Sequence, residues 1–200
     1  QAIVERNSPV NEVAEAGTEY IDLYLLHWKG RHPYEETVRA MTELQQEGKI
    51  RLWGVSNMDT ADMERIVSLS GGSGCATDQV LYNLGDRGIE FDLMPWCAAR
   101  RMPLMAYSPI GEGRLCTTHT LVEIAGDTMY RLHKRIVVDD ASARYHAIPK
   151  AGNVTHVEDN FRSLSIHLTE EDLHDLDTAF PAIALEIPLA VGNNMKCYKL

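Results

Sequence analysis

The chain has 200 residues, enough for one domain or for part of a larger one, and 44% of them are hydrophobic, as in ordinary globular proteins. A formal net charge of −10 at pH 7 argues against nucleic acid as a partner, because binding to phosphates requires a basic surface. No apolar run reaches the length of a membrane span, and the four cysteines are widely spaced without a C-x-x-C pair. We therefore expect a soluble, cytoplasmic protein with reduced thiols and no membrane partner.

Strand-like and helix-like segments alternate from Tyr20 onward. The first segment, Tyr20–Trp28, is a near-continuous apolar run, which is typical of a parallel strand buried on both faces. Further strands are predicted at Lys49–Val55, Ala76–Tyr82, Pro103–Tyr107 and Tyr145–Lys150. Helices are predicted at Tyr34–Gln46, from Asp59 or Thr60 to Leu69, and at Glu90–Arg101, Val154–Ser163 and Thr169–Ala179.

Repeated strand–helix units with short connections indicate a parallel sheet. A spacing of roughly thirty residues per unit suits either a doubly wound sheet or a (β/α)8 barrel, although five strands alone cannot close such a barrel. No G-x-G-x-x-G follows any strand, which weakens a dinucleotide-binding Rossmann interpretation. A helix end is expected at residues 11–17, and the apolar spacing at 121–147 is consistent with a helix that charged residues interrupt. Residues 181–200 have no clear period.

Three other patterns suggest sites but are better explained without them. Gly71–Gly74 is expected to be a flexible connector, because it joins a helix to a strand and lacks the Lys-Ser/Thr of a phosphate loop. The histidines form no i, i+4 pair and no H-E-x-x-H, so no metal site is expected. A hydrolase has no local support, since no G-x-S-x-G occurs.

Polar or aromatic side chains stand where the predicted strands end. Each has an ordinary structural explanation, and a single histidine in an apolar run is most often a packed core residue. Ligands bind α/β folds at the carboxyl ends of parallel strands, however, and here those ends bring several polar groups, an aromatic face and a cation. This composition suits an aromatic cofactor with an amide group and phosphates. The residues are His27, Ser56, Asn57, Gln79, Tyr107, Ser108 and Lys150.

These residues, in their order and spacing, resemble the aldo-keto reductase family. The shared motifs are Leu26-His-Trp28, Gly48-Lys-Ile-Arg51, Gly54-Val-Ser-Asn57, Gln79-Val80, Ala106-Tyr-Ser-Pro109, Ile148-Pro-Lys150 and the later Asn160. Three longer stretches resemble the bacterial branch that reduces methylglyoxal and similar small carbonyls, namely His32–Thr37, Gln79–Asn83 and Arg87–Leu93. The resemblance extends over Thr18–Leu115 and Ala147–Pro181, and it is poor at 1–17, at 181–200 and between the two matched parts.

The resemblance implies a TIM-type (β/α)8 barrel that binds NADPH in an extended form, with only about five β/α units present in one domain over residues 1–200. His27 would orient and polarise the carbonyl of the substrate. Ser56, Asn57 and Gln79 would hold the nicotinamide carboxamide. The ring of Tyr107 would stack on the nicotinamide, and Ser108 is counted with these cofactor-binding residues.

The same resemblance assigns the phosphate and adenosine end of the cofactor. Gly111 begins the Gly111–Gly113 loop over the pyrophosphate, Lys150 would meet the 2′-phosphate, and Asp159 and Asn160 would meet the adenine. His156 stands where the family has an arginine that clamps the 2′-phosphate, and a neutral histidine is a weaker phosphate partner than a bidentate guanidinium. NADH is therefore a possible alternative to NADPH.

The family's proton donor is a tyrosine activated by a lysine and an aspartate, all on segments before the strand that contains His27. Residues 1–17 contain no tyrosine or lysine, so the chain resembles the C-terminal five-eighths of such an enzyme. Two functions remain open, because fold alone does not decide function. One is an NADPH-dependent reductase of small aldehydes and ketones, monomeric if the full barrel is present. The alternative is a non-catalytic nucleotide-binding or regulatory protein.

Overall fold

The computed structural model describes residues 19–113, 145–162 and 169–182, in which strands and helices alternate as expected. The strands are β1 (Ile21–Leu26), β2 (Ile50–Ser56), β3 (Cys75–Leu81), β4 (Leu104–Tyr107) and β5 (Tyr145–Ala147). The helices are α1 (Tyr34–Gln46), α2 (Thr60–Ser68), α3 (Leu93–Ala99), α4 (Val154–Arg162) and α5 (Glu170–Ala179). Short 3₁₀ turns lie at Gly72–Gly74, Gly88–Glu90 and Gly111–Gly113. The expectations for residues 11–17 and 121–144 lie outside the described residues.

The strands pair in chain order, β1-β2-β3-β4-β5. β1 and β2 are parallel, with Leu26 opposite Val55, and β4 and β5 are parallel, with Ala106 opposite Ala147. The predicted parallel arrangement is confirmed for both pairs. Contacts between residues divide the chain into two compact units, residues 1–78 and 79–200. One domain over the whole chain stays a prediction.

The core of the first unit forms around β2. Trp53 and Val55 of this strand are buried, and the two helices that flank it contribute buried apolar side chains at helical spacing. α1 has the predicted bounds, and α2 begins at Thr60 because the Asp59 carboxylate accepts the backbone N–H of Asp62 at 2.8 Å. The helical side chains in this core are Val38, Met41, Met63 and Ile66.

The expectation that β1 is buried on both faces is wrong. Asp22 is exposed, and the other residues of the strand are half-buried. Among the described strands, only β2 is hydrogen-bonded to β1. The Asp22 carboxylate accepts a bond from Arg51 at 3.0 Å, which places a charged pair on this strand. Among the described residues, the continuous apolar run therefore overestimates the burial of β1.

Two further expectations differ in their local geometry. The helix expected at Glu90–Arg101 begins only at Leu93, because Gly88–Glu90 forms a 3₁₀ turn and the Asp92 carboxylate accepts the N–H of Leu93 at 2.7 Å. The expected flexible connector at Gly71–Gly74 is instead a tight 3₁₀ turn. A Cβ added to Gly72 would lie 1.8 Å from the Ile66 carbonyl oxygen, so this glycine is required by packing.

A buried arginine ties α5 to the rest of the second unit. The side chain of Arg87 is 4% exposed and donates to both carboxylate oxygens of Glu90, at 2.8 and 2.7 Å. It also contacts Asp177 at 2.9 Å and donates to the carbonyl of Phe180. The hydrogen bonds to Glu90 raise the pKa of Arg87, which stays charged. α5 itself begins with a capping box, in which the side chain of Thr169 accepts from the Asp172 N–H.

Within the described parts of the chain, the helices are too short and too polar to cross a bilayer.

Gly54 is the position where the sheet of the first unit tolerates least change. A Cβ there would lie 2.6 Å from the carbonyl oxygen of Thr77 and 2.8 Å from a methyl carbon of Leu25. We expect Gly54→Ala to lower the free energy of unfolding by about 1–3 kcal/mol, the usual cost of overpacking. Urea unfolding measures this, with Gly152→Ala as the control because nothing lies within 4 Å of its added Cβ. Equal stability of the two variants would contradict the close packing of β2.

Candidate active site

In the first unit, the ends of β1 and β2 bring together three of the predicted site residues. Leu26 lies opposite Val55, so the next residues, His27 and Ser56, stand at the same level of the sheet. Ser56 is buried, whereas His27 is exposed. This arrangement places a buried hydroxyl and a solvent-accessible imidazole on adjacent strands.

Asn57 joins these two strand ends. Its Nδ2 donates to the Ser56 Oγ at 3.0 Å and to the backbone carbonyl of His27 at 3.4 Å. The backbone of Asn57 has φ 62°, in the left-handed region, where asparagine is among the better tolerated residues. Such conformations concentrate at functional sites. The left-handed turn lets the amide of Asn57 point back across the strand ends.

In the second unit, Tyr107 is the last residue of β4 and Ser108 follows it, and both are half-buried. Ser108 has φ 49°, so a second residue other than glycine is left-handed directly after a strand. The Tyr82 N–H donates to the carbonyl of Tyr107 at 3.4 Å. Gln79 is also half-buried but lies within β3, two residues before its end.

The strained backbone at Ser108 is held by Asn83, which is 2% exposed. Asn83 Nδ2 donates to the carbonyl of Ser108 at 3.2 Å and to Asp86 at 3.1 Å, and its Oδ1 accepts the N–H of Gly85 at 2.9 Å. The sequence interpretation used Asn83 only as part of a family motif and gave it no role. The glycine two residues later, typical of an asparagine turn, is the signal that could have revealed it.

The loop expected over a pyrophosphate forms a 3₁₀ turn. Gly111 is buried, has φ 58° and donates its N–H to the Ser108 carbonyl at 2.9 Å. Glu112 next to it is exposed and also left-handed. The turn is therefore tied to the same strand end as Tyr107.

The residues expected at the adenosine end lie after β5. Lys150 is exposed, and His156, Asp159 and Asn160 belong to α4. His156 is exposed, and its backbone N–H donates to the Oδ1 of Asn153 at 2.9 Å, so Asn153 caps the helix. Asn153 is a second residue without a role in the sequence interpretation, although a polar residue before a helical pattern signals a cap.

Among the described residues, no group of three or more His, Cys, Asp or Glu side chains could hold a metal ion. Cys75, the buried first residue of β3, lies at the other end of that strand from the candidate site. Burial, reinforced by the nearby Asp78 carboxylate, raises the pKa of the Cys75 thiol to about 12. A thiol of this kind is inert, because the reactive form is the thiolate.

Residues 10–136 match the Aldo/keto reductase family. The chain belongs to this family. The resemblance drawn from the strand-end motifs is thus confirmed, and the likeness to solved members together with the strand–helix order confirms the fold class, part of a (β/α)8 barrel.

Three known proteins illustrate the match. Methylglyoxal reductase YeaE of Escherichia coli is 44% identical over 183 residues, which cover 82% of this chain and 60% of the relative. The NADH-specific methylglyoxal reductase of Escherichia coli is 36% identical over 114 residues, covering 55% and 34% of the two chains. The crystal structure of an aldo/keto reductase from Klebsiella pneumoniae in complex with NADP and acetate is 39% identical, with a TM-score of 0.86, covering 96% of this chain and 69% of that one. This aldo/keto reductase chain therefore spans about 60% of the length of the relative YeaE.

We expect Asn83→Ala to destabilise the second unit by about 2–3 kcal/mol, because the variant loses the three hydrogen bonds that the buried Asn83 amide makes with Ser108, Asp86 and Gly85. Asn153→Ala is the matched control, since it removes an exposed helix cap and should cost about 1 kcal/mol. Urea unfolding of both variants gives the comparison. A smaller loss in Asn83→Ala than in Asn153→Ala would contradict the role of Asn83 as the support of Ser108.

Proposed function

We propose that the chain acts in an NADPH-dependent oxidoreductase that reduces small aldehydes or ketones to alcohols. The observation that carries the proposal is the position of Asn57, whose amide bonds both the Ser56 hydroxyl and the carbonyl of His27. It joins the residues assigned to the nicotinamide carboxamide to the residue assigned to the substrate carbonyl. Reduction requires the nicotinamide ring and the substrate carbonyl to lie next to each other.

The chain's own residues fit a nicotinamide cofactor. A carboxamide both donates and accepts hydrogen bonds, and the Ser56 hydroxyl and Asn57 amide supply both kinds of group. The half-buried ring of Tyr107 at the end of β4 suits stacking on an aromatic ring. The Klebsiella pneumoniae relative was crystallised with NADP, which supports the same cofactor here. When bound, the cofactor supplies the hydride.

His27 has the exposure and position needed to orient a substrate carbonyl. Its imidazole is accessible directly after β1, and its backbone is fixed by Asn57. A ring N–H that donates to the carbonyl oxygen would polarise the bond and hold charge that develops on the oxygen. The 44% identity with a methylglyoxal reductase supports a small, reactive carbonyl as the substrate class.

The alternative function is nucleotide binding without catalysis. Tyr34 lies beside Lys29 and Asp62, the residue types of the family's proton-donor set, yet burial and then the Asp62 carboxylate raise the pKa of Tyr34. A raised pKa makes a tyrosine a weaker acid, so Tyr34 does not fit the role of proton donor.

The two functions are separated by measuring NADPH binding and then NADPH oxidation with methylglyoxal. Binding with turnover that His27→Ala lowers supports the reductase. Binding without turnover supports the alternative. Where general acid catalysis is absent, the rate of NADPH oxidation is expected to be about 10²–10⁴-fold lower. Failure to bind NADPH would contradict both proposals.

Tyr107→Ala should weaken NADPH binding by about 0.5–1.5 kcal/mol, because the stacking surface is lost. Quenching of tryptophan fluorescence by NADPH measures the dissociation constant. Phe91→Ala is the matched control, since Phe91 is an exposed aromatic residue of the same unit with no assigned role. Equal affinities of the two variants would place the nicotinamide elsewhere.

His156→Arg should tighten NADPH binding about tenfold and leave NADH binding unchanged, because a guanidinium can bond a 2′-phosphate bidentately. His146→Arg adds the same charge at an exposed residue of β5 and serves as the control. Dissociation constants for both cofactors give the answer. An equal gain in affinity for NADPH and NADH in His156→Arg would show that α4 does not contact the 2′-phosphate.

A further inference from the structure

The loop between β1 and α1, residues 27–33, begins with His27 and contains an ion pair that no role above explains. Lys29 Nζ lies 2.6 Å from Asp62 Oδ1, in the first turn of α2. Asp62 is the less exposed partner, at 18% against 61% for Lys29. The pair thus joins the middle of this loop to a helix that follows β2.

Tyr34 completes a compact group at the other end of the loop. It is the first residue of α1 and is buried, and its hydroxyl donates to the sulfur of Met58 at 3.4 Å. The Lys29 ammonium lies 5.1 Å from the centre of the Tyr34 ring, a distance at which a cation is attracted to an aromatic face. Lys29, Tyr34 and Asp62 are called the loop clamp below.

The loop is therefore fixed at three points. Asn57 bonds the carbonyl of His27 at its start, Asp62 bonds Lys29 in its middle, and Tyr34 is packed on Met58 at its end. The rings of His27 and Trp28, the first two residues of this loop, lie 5.4 Å apart.

We propose that the loop clamp formed by Lys29, Tyr34 and Asp62 positions His27 for its substrate and that its members are positioning residues of the reaction. This inference rests on the proposed reductase function. The cluster acts through the loop backbone, and it touches neither His27 nor the reacting groups directly. The loop clamp keeps the imidazole of His27 in a fixed position relative to the substrate. This matters because small displacements of an orienting group lower the rate of reaction.

The exposure of Lys29 sets the size of the effect. Exposed ion pairs change equilibria by about two- to fivefold and are screened by salt. A second ion pair provides an internal comparison. Arg65 contacts Glu35 at 2.9 Å and also joins α1 to α2, but neither residue belongs to the loop.

The first test measures the loop without turnover. Lys29 and Arg31 are trypsin sites within the loop, so Asp62→Asn should raise the cleavage rate there by about two- to fivefold at low salt. The difference from the parent chain should fall as salt is added. Glu64→Gln removes the same charge from the same helix, and Glu35→Gln breaks the other ion pair; neither should change cleavage at these sites. Equal rates in Asp62→Asn and Glu64→Gln would overturn the clamp.

The second test asks whether the clamp acts on catalysis. For Asp62→Asn and Lys29→Met, kcat/KM for the carbonyl should fall by about two- to fivefold while the KM for NADPH stays constant, and Lys29→Arg should restore the parent value. A faster-cleaved loop with an unchanged kcat/KM would overturn the positioning role. Absence of turnover in the parent chain would contradict the proposed function instead, and the cleavage rates would still decide whether the clamp exists.

Discussion

The close approach of β2 to its neighbours at Gly54 is the constraint on which the first half of the site depends. No Cβ fits there, because Thr77 and Leu25 already occupy the space. With Gly54 opposite Leu25, Val55 meets Leu26 and the two strands end together. His27 and Ser56, the next residues of the two strands, then stand side by side. A bulkier residue at position 54 would separate the strands just before the residues that carry the proposed chemistry.

Both units use a left-handed residue other than glycine to end a strand at the candidate site. Asn57 follows β2 and Ser108 follows β4, and each conformation costs free energy that the surroundings must offset. Asn57 offsets part of it with its own amide, which bonds two neighbours. Ser108 has no such side chain and depends on buried Asn83. A glycine at either position would remove the strain, but it would also remove the polar group that the proposed cofactor site requires.

Local signals in the sequence were sufficient for much of this fold. The apolar period of α1 predicted its bounds, and Asp59 and Thr169 marked the starts of two helices because their side chains cap the first turn. The same reasoning was wrong in two places. The apolar run of β1 did not reveal that its residues are exposed or only half-buried, and the helical pattern from Glu90 did not predict the 3₁₀ turn at Gly88–Glu90.

The candidate site divides in the same way between local motifs and tertiary contacts. The strand-end motifs could be recognised in the sequence because each consists of a few consecutive residues, and together they indicate a site. The supporting residues were not, since Asn83 meets Ser108 across 25 positions and Lys29 meets Asp62 across 33. Lys29, Tyr34 and Asp62 illustrate the consequence. Their types alone match a proton-donor set, yet burial and a neighbouring carboxylate make Tyr34 a weaker acid. The environment of these side chains, which only the folded chain defines, is therefore what excludes Tyr34 as a proton donor.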